Sequence, residues 1–484
     1  MRQARHAALA ALAAAAFATS ALADPNDLLV TRDARGWLGT YSTNRFDAGT
    51  SNAFFTALGV NGRSCGTCHV HGQGESLTPE HARRVALQNS ADPLFNPVDG
   101  SDCPPTSPVQ AADARQSSLL LRLGLIRVQR AIPASAEYSL AGATNPKRCQ
   151  IPPGDAAIGG QLFLFRRPLP SANLVFLSSV MWDARETTQP ITTIAGPAGL
   201  GPLVADLSGQ ANAATLTHGQ AQQPITGTPA VADIVAFEQG VYTAQQTLGL
   251  VDLTASNGGP RQLARTIAPG FFIGQNDTFA ANFSRRIFSL YAAWEPQAGS
   301  VTTGLRAAIG RGEKLFNERT FTIANVAGLN SASGDVLYNP SDPLADTPIT
   351  GTCGTCHNTP NVGNHSTPLA INIGVTLAVP TDNNGRPIVG ILDVRALPVY
   401  TLSANRGGAT VQVTDPGRAL ITGRWTDIGK TKGPVLRGLA ARPPFFHNGS
   451  APDLLTVVRF YDARFNMGLS EQEMADLATF LAAL

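Results

Sequence analysis

One pentapeptide occurs twice in this chain and constrains it more than any other feature. The first copy is Cys65-Gly66-Thr67-Cys68-His69, and the second is Cys353-Gly354-Thr355-Cys356-His357. Cys-x-x-Cys-His is the attachment sequence of c-type haem. Two thiols one short turn apart add to the two vinyl groups of a single porphyrin, and the next residue, His, then lies under the iron. A thioredoxin-like redox pair or half of a zinc site uses the same cysteine spacing. Neither accounts for a histidine following immediately both times. The repeat therefore predicts two covalently bound haem c groups. Cys65, Cys68, Cys353 and Cys356 are their anchors, and His69 and His357 are iron ligands.

The N-terminus reads as an export signal. Arg2, Arg5 and His6 precede a short apolar stretch at 7–19, and Ala21-Leu22-Ala23 fits the small-x-small cleavage rule. Residues 1–23 are thus expected to be removed, leaving a chain from Asp24 in a bacterial periplasm. That compartment permits disulfides, and the two leftover cysteines, Cys103 and Cys149, both in polar loops, are expected to pair. Later in the chain no run of about 18 apolar residues exists, so no membrane span is expected after cleavage. Net charge is +2, which argues against a nucleic-acid partner.

Charged residues are only 14% of the chain, with 47 Gly and 34 Pro, so long neutral loops are expected rather than charged helical faces. Helical spacing of apolar residues appears at 303–317 and again from Leu454 to Phe465. Ser470 and Glu473 form a capping box before a last helix. Residues 115–130 and 207–247 also read as helical, while 188–206, 248–270, 318–352 and 358–433 read as loop, the last with some extended segments. The two pentapeptides lie far apart, which predicts one domain over 24–300 and another over 301–484.

The stretch 429–461, GKTKGPVLRGLAARPPFFHNGSAPDLLTVVRFY, resembles the bacterial di-haem cytochrome c peroxidase/MauG superfamily. Lys432, Leu436, Arg437, Phe446, His447 and Gly449 match its Lys-x-Pro-x-Leu-Arg segment and aromatic-His-x-Gly turn; Gly438 stands where the family has Asn. Trp182-Asp183-Ala184-Arg185 is similar to the family's Trp-Asp-Gly-Arg, and Leu207 and Gln210 match its Leu-x-x-Gln. The resemblance implies a mainly α fold: two cytochrome c-like haem domains face to face, with long Gly/Pro-rich loops and little β. It also implies peroxide chemistry at the N-terminal haem and electron handling at the C-terminal one. A calcium ion between the domains is a further family expectation, although no dedicated loop for it is visible.

Counting along the resemblance from His447 places Tyr461 where the peroxidases carry a distal Met and MauG carries Tyr. Tyr461 is therefore a candidate ligand of the second iron, with His365 as its competitor. For the first haem, His71 and His81 read as surface residues, and His447 as a residue that orders its loop. Ten residues past the family Gln, the peroxidases place a Glu that moves the peroxide proton. Here that position is Gln220, which cannot do acid–base work, whereas His218 two residues earlier can. Trp182 matches the indole between the haems.

These readings point to a periplasmic haem oxidoreductase, cytochrome c peroxidase-like or MauG-like. Its reactants would be H2O2 or another oxidisable substrate and a small electron donor or acceptor protein. The alternative is an electron-transfer cytochrome without peroxidase turnover.

Overall fold

The computed structural model describes residues 27–44, 52–106, 110–149, 161–187, 201–295, 304–330 and 347–484. The export signal expected at 1–23 and most of the loop expected at 188–206 lie outside the described residues.

The chain opens with strands β1 (Leu28–Arg32) and β2 (Gly36–Ser42), then helices α1 (Pro79–Gln88) and α2 (Ser118–Leu123). Strands β3 (Ile126–Ala131), β4 (Tyr138–Ala143) and β5 (Gln161–Arg166) follow, then α3 (Gly201–Thr217) and α4 (Pro229–Gly240). After β6 (Val241–Leu248) and β7 (Val251–Asp252) comes α5 (Leu305–Glu318). The later strands are β8 (Phe321–Ile323), β9 (Ile349–Gly351), β10 (Ala370–Ile371), β11 (Tyr400–Ala404), β12 (Thr410–Val413) and β13 (Thr431–Lys432). Helices α6 (Leu454–Phe465) and α7 (Glu471–Ala482) close the chain.

A mainly helical fold with little β is not what forms. Among the described residues helix accounts for 32% and strand for 17%, the strands lying in five small sheets. One sheet has the order β1-β2-β6-β7 and another β12-β11-β4; β3 pairs β5, β8 pairs β9, and β10 pairs β13. Two segments explain the discrepancy. The span 207–247 divides instead: α3 ends at Thr217, α4 runs only from Pro229 to Gly240, and Val241-Tyr242-Thr243 begins a buried strand. The helix expected over 115–130 stops at Leu123, where Gly124 takes a left-handed conformation with φ 63°. Ile126-Arg127-Val128 then runs as β3 against β5. In both places β-branched and aromatic residues follow a glycine stop, and a pairing partner far away in sequence decides for strand.

The helices expected at the C-terminal end form. Asp453 caps α6 through the Thr456 N–H, and the Ser470–Glu473 capping box starts α7. Helices α5 and α7 pack so closely that a Cβ at Gly312 would lie 2.2 Å from the Asp476 carbonyl oxygen. Only glycine permits that approach. Phe288, Phe316 and Phe480 meet edge-on in this core at 5.1–5.8 Å. Such pairs add about 0.5–1.5 kcal/mol each beyond the area they bury.

Residues from both sides of position 300 are interwoven. β4 pairs antiparallel with β11, and Tyr138, Leu162, Tyr400, Leu402 and Val413 share one buried cluster. Tyr400 donates its hydroxyl to the Phe163 carbonyl at 2.7 Å and accepts the Phe163 N–H at 2.9 Å. Arg166 joins Asp183 and Asp415 in a fully buried triad. Cys103 and Cys149 are disulfide-bonded across 46 residues. In the chain-entropy model a loop of that length contributes about 4 kcal/mol. Among the described residues no helix is long and apolar enough to cross a membrane.

Candidate functional site

The two pentapeptides fold into the same turn. In the first, the N–H groups of Cys68 and His69 both donate to the Cys65 carbonyl, at 3.2 and 3.0 Å. In the second, Cys356 and His357 do the same toward Cys353, at 3.3 and 3.0 Å. The turns start alike, because a hydroxyl residue precedes each copy and a threonine lies within it. Thr67 Oγ1 accepts the Ser64 N–H at 3.1 Å, and Thr355 Oγ1 accepts the Thr352 N–H at 2.9 Å.

The likeness extends past the pentapeptide. His69 Nδ1 faces the carbonyl of Glu75 at 3.2 Å, and His357 Nδ1 faces that of Gly363 at 2.7 Å. In each copy the carbonyl lies six residues downstream. It fixes Nδ1 as the protonated nitrogen and leaves Nε2 as the lone-pair atom, the usual support for a metal-ligating imidazole. Burial pushes the His69 imidazole down to about 4 and lowers His357 as well, so both rings are neutral. The four thiols are free of disulfides. Burial, joined by Glu238, pushes Cys65 up to about 12, and burial also holds Cys68 at about 11.

Each turn opens into a large cavity. The first holds about 1480 Å³ of space not filled by atoms, counting its mouth, and the second about 1510 Å³. Leu174, Leu177, Val180, Leu207 and Val435 wall the first. Phe316, Ile323, Ile371, Val458 and Leu477 wall the second. Two thiols, one neutral imidazole and a roomy apolar chamber make a donor set that fits a covalently held haem in each cavity. Among the described residues no three His, Cys, Asp or Glu converge to hold a bare metal ion. The expected calcium therefore finds no such cluster there.

The first cavity also holds His218, Asp99, Gln210 and Glu238. His218 Nδ1 makes a very short contact with Asp99 Oδ2, and Asp99 is in turn ion-paired with Arg63. Burial opposes the Asp99 carboxylate, but Arg63 and His218 outweigh it and hold it at about 2. Asp99 thereby orients the His218 ring. Gln220 stands apart: it is exposed at φ 55° and is not among the cavity-lining residues. The His71 ring nitrogen Nδ1 lies 2.7 Å from Glu75 Oε1, and His81 lies beside Arg84; neither lines either of these two cavities.

Glu238 is a site residue that sequence reasoning missed. It is 6% exposed, its Oε2 has no hydrogen-bond partner, and burial pushes its carboxyl up to about 8. The signal was one carboxylate closing the apolar run Ile234-Val235-Ala236-Phe237. Asp99 gave no such signal, since its partner His218 is 119 residues away.

Tyr461, His365 and His447 all line the second cavity. Leu454, Val457, Val458, Tyr461 and Phe465 form the cavity-facing stripe of α6. The Tyr461 hydroxyl has no hydrogen-bond partner among the described residues, and burial raises it above the ordinary tyrosine range. The His365 ring lies 6.3 Å from His357 and nearly parallel to it. Its Nε2 is covered and unpartnered, and a Cβ on Gly433 would sit 2.9 Å from it. Burial, with His357 nearby, pushes His365 down to about 3. His447 packs edge-on against Trp182 at 6.1 Å.

Trp182 itself lines both cavities. Its Nε1–H donates to the Arg167 carbonyl at 2.8 Å, and its own carbonyl accepts the Lys432 N–H at 2.9 Å. The indole is thus fixed in the wall that separates the two chambers. In comparisons with known proteins, the chain matches no protein-family model and none of the curated proteins.

Proposed function

We propose that this chain is an exported di-haem c-type cytochrome acting as an oxidoreductase of the peroxidase/MauG type. The observation that carries the reading is the duplicated turn. Twice, two thiols and an imidazole held on a carbonyl six residues downstream open on a large apolar cavity. Cys65, Cys68 and His69 hold one haem, and Cys353, Cys356 and His357 hold the other. The Cys103–Cys149 disulfide accords with the oxidising compartment in which thioether attachment takes place.

When bound, the haem irons supply the redox chemistry with peroxide or oxygen. The protein contributes proton handling and insulation. His218 Nε2 is the atom that takes the peroxide proton, because Nδ1 is occupied by Asp99. This role replaces the one that Gln220 cannot perform. The apolar walls of the first cavity exclude bulk water. Trp182, common to both chambers, is the side chain through which an electron passes between them. A small soluble donor or acceptor protein supplies or removes electrons at the second haem. The titratable groups His218 and Glu238 in the first cavity favour this reading over a cytochrome that only transfers electrons.

His218→Gln is expected to slow the peroxide-dependent optical change of the ferric protein by about 10²-fold or more, the scale of general acid–base catalysis. Stopped-flow mixing with H2O2 checks this. An unchanged rate removes His218 from the mechanism.

A further inference from the structure

The wall between the two cavities carries positive charge that the protein does not balance. Arg167 and Lys432 line both chambers, and Arg442 lines the second. Lys432 is 4% exposed and Arg167 5%. None of the three has an ion-pair partner among the described residues. Arg167 donates to the carbonyls of Leu123 and Arg442, both at 3.1 Å, and Arg442 to that of Val435 at 2.6 Å. Lys432 Nζ has no hydrogen-bond partner there at all. Every other buried cation around the first cavity is matched: Arg63 by Asp99, Arg166 by Asp183 and Asp415, Arg185 by Asp183.

Burying an unpaired cation costs several kcal/mol, and neighbouring like charges add to that cost. Burial, with Arg442 nearby, pushes Lys432 down to about 7 and Arg167 to about 9. Such a cluster persists when it serves an anionic ligand. The backbone builds it deliberately: β13 pairs with β10, and Lys432 is tied through its N–H to Trp182. Lys432 and Trp182 thus adjoin through their backbones, and both residues line both chambers.

We propose that Arg167, Lys432 and Arg442 form a shared carboxylate-binding site, on which the propionate arms of both porphyrins converge. The ligand class is a pair or more of carboxylates presented from opposite chambers. The inference rests on the di-haem reading and adds an electrostatic link between the two centres. A positive charge in the common wall favours the reduced state of both haems. A unit charge ~10 Å away at an effective dielectric of ~20 is worth roughly a tenfold change in an equilibrium.

The test uses the purified haem-loaded protein, Lys432→Met and Lys432→Arg, with both midpoint potentials read by spectroelectrochemical titration. A pyridine haemochrome assay counts haem in each sample. Lys432→Met is expected to lower both potentials, by about tenfold in the reduced-to-oxidised ratio. Lys432→Arg keeps both near the original values. Potentials that do not move, or a shift confined to one haem, overturn the shared site. If Lys432→Met does not accumulate, Lys432→Gln is read the same way. Absence of haem from the unsubstituted protein is a separate outcome that overturns the di-haem reading itself.

Discussion

Arg166→Met is expected to destabilise the fold by about 3–5 kcal/mol, the cost of breaking a buried ion pair from one side. Arg166 is 3% exposed and holds Asp415 with two hydrogen bonds, at 2.7 and 3.0 Å, and Asp183 with a third at 2.7 Å. Asp183 and Asp415 are 0% and 1% exposed. After the substitution Asp183 keeps Arg185, but Asp415 keeps only the Gly417 N–H and His447 at 3.8 Å. The lost guanidinium also joins segments on opposite sides of position 300, so its removal loosens the β3–β5 ribbon from the loop before β13. Urea unfolding followed by circular dichroism checks the magnitude. A change under 1 kcal/mol contradicts it.

The same triad sets an acid limit. Burial works against the Asp183 and Asp415 carboxylates, but Arg166 outweighs it and holds both below the usual range. Carboxyls depressed in the folded state stabilise it fully above their unfolded value, near ~4. That contribution is lost as pH falls through the depressed folded values. In Arg166→Met the loss begins at higher pH, because Asp415 no longer has its counter-charge.

Tyr461→Phe is expected to let cyanide bind at the second proposed haem, and the unsubstituted protein is expected not to bind it there. Tyr461 lines the cavity that holds Cys353, Cys356 and His357. Its hydroxyl has no competing hydrogen-bond partner there, whereas His365 Nε2 is covered by neighbouring atoms. The phenol is neutral in its buried setting, and metal coordination is what favours the phenolate. A phenolate ligand favours ferric iron, so Tyr461→Met should instead raise the potential of that haem. The ring stacks on Phe465 at 6.2 Å with an interplanar angle of 12°, and Phe preserves that packing. Tyr461→Phe should therefore unfold at nearly the original urea concentration. Cyanide binding followed optically and by EPR separates the outcomes. Unchanged spectra and no cyanide complex in Tyr461→Phe remove it as a ligand.

The chemistry-bearing residues were more legible in the sequence than the architecture around them. Cys-x-x-Cys-His is local: the thiol spacing, the adjacent imidazole and the threonine that closes the turn all lie within six residues. The last two helices were legible for the same reason, through an apolar stripe and a capping box. The sheets were not. β4 finds its partner in β11 and β2 finds its partner in β6, each across some 200 residues or more, and no local pattern announces such pairings. The apolar residues of 115–130 and 207–247 suit either form, which makes both spans look helical. Glycine stops and distant partners decided otherwise. Gln220 was reached by counting along a resemblance, whereas Glu238 and the Asp99–His218 pair depend on how the chain returns to the first cavity.

Whether each pentapeptide anchors one haem is decided by a pyridine haemochrome assay on the purified chain, scaled to protein concentration. Two covalently bound haems per chain are expected, falling to one when Cys65 and Cys68 are both replaced by alanine. A count of one or none in the unsubstituted protein contradicts that expectation.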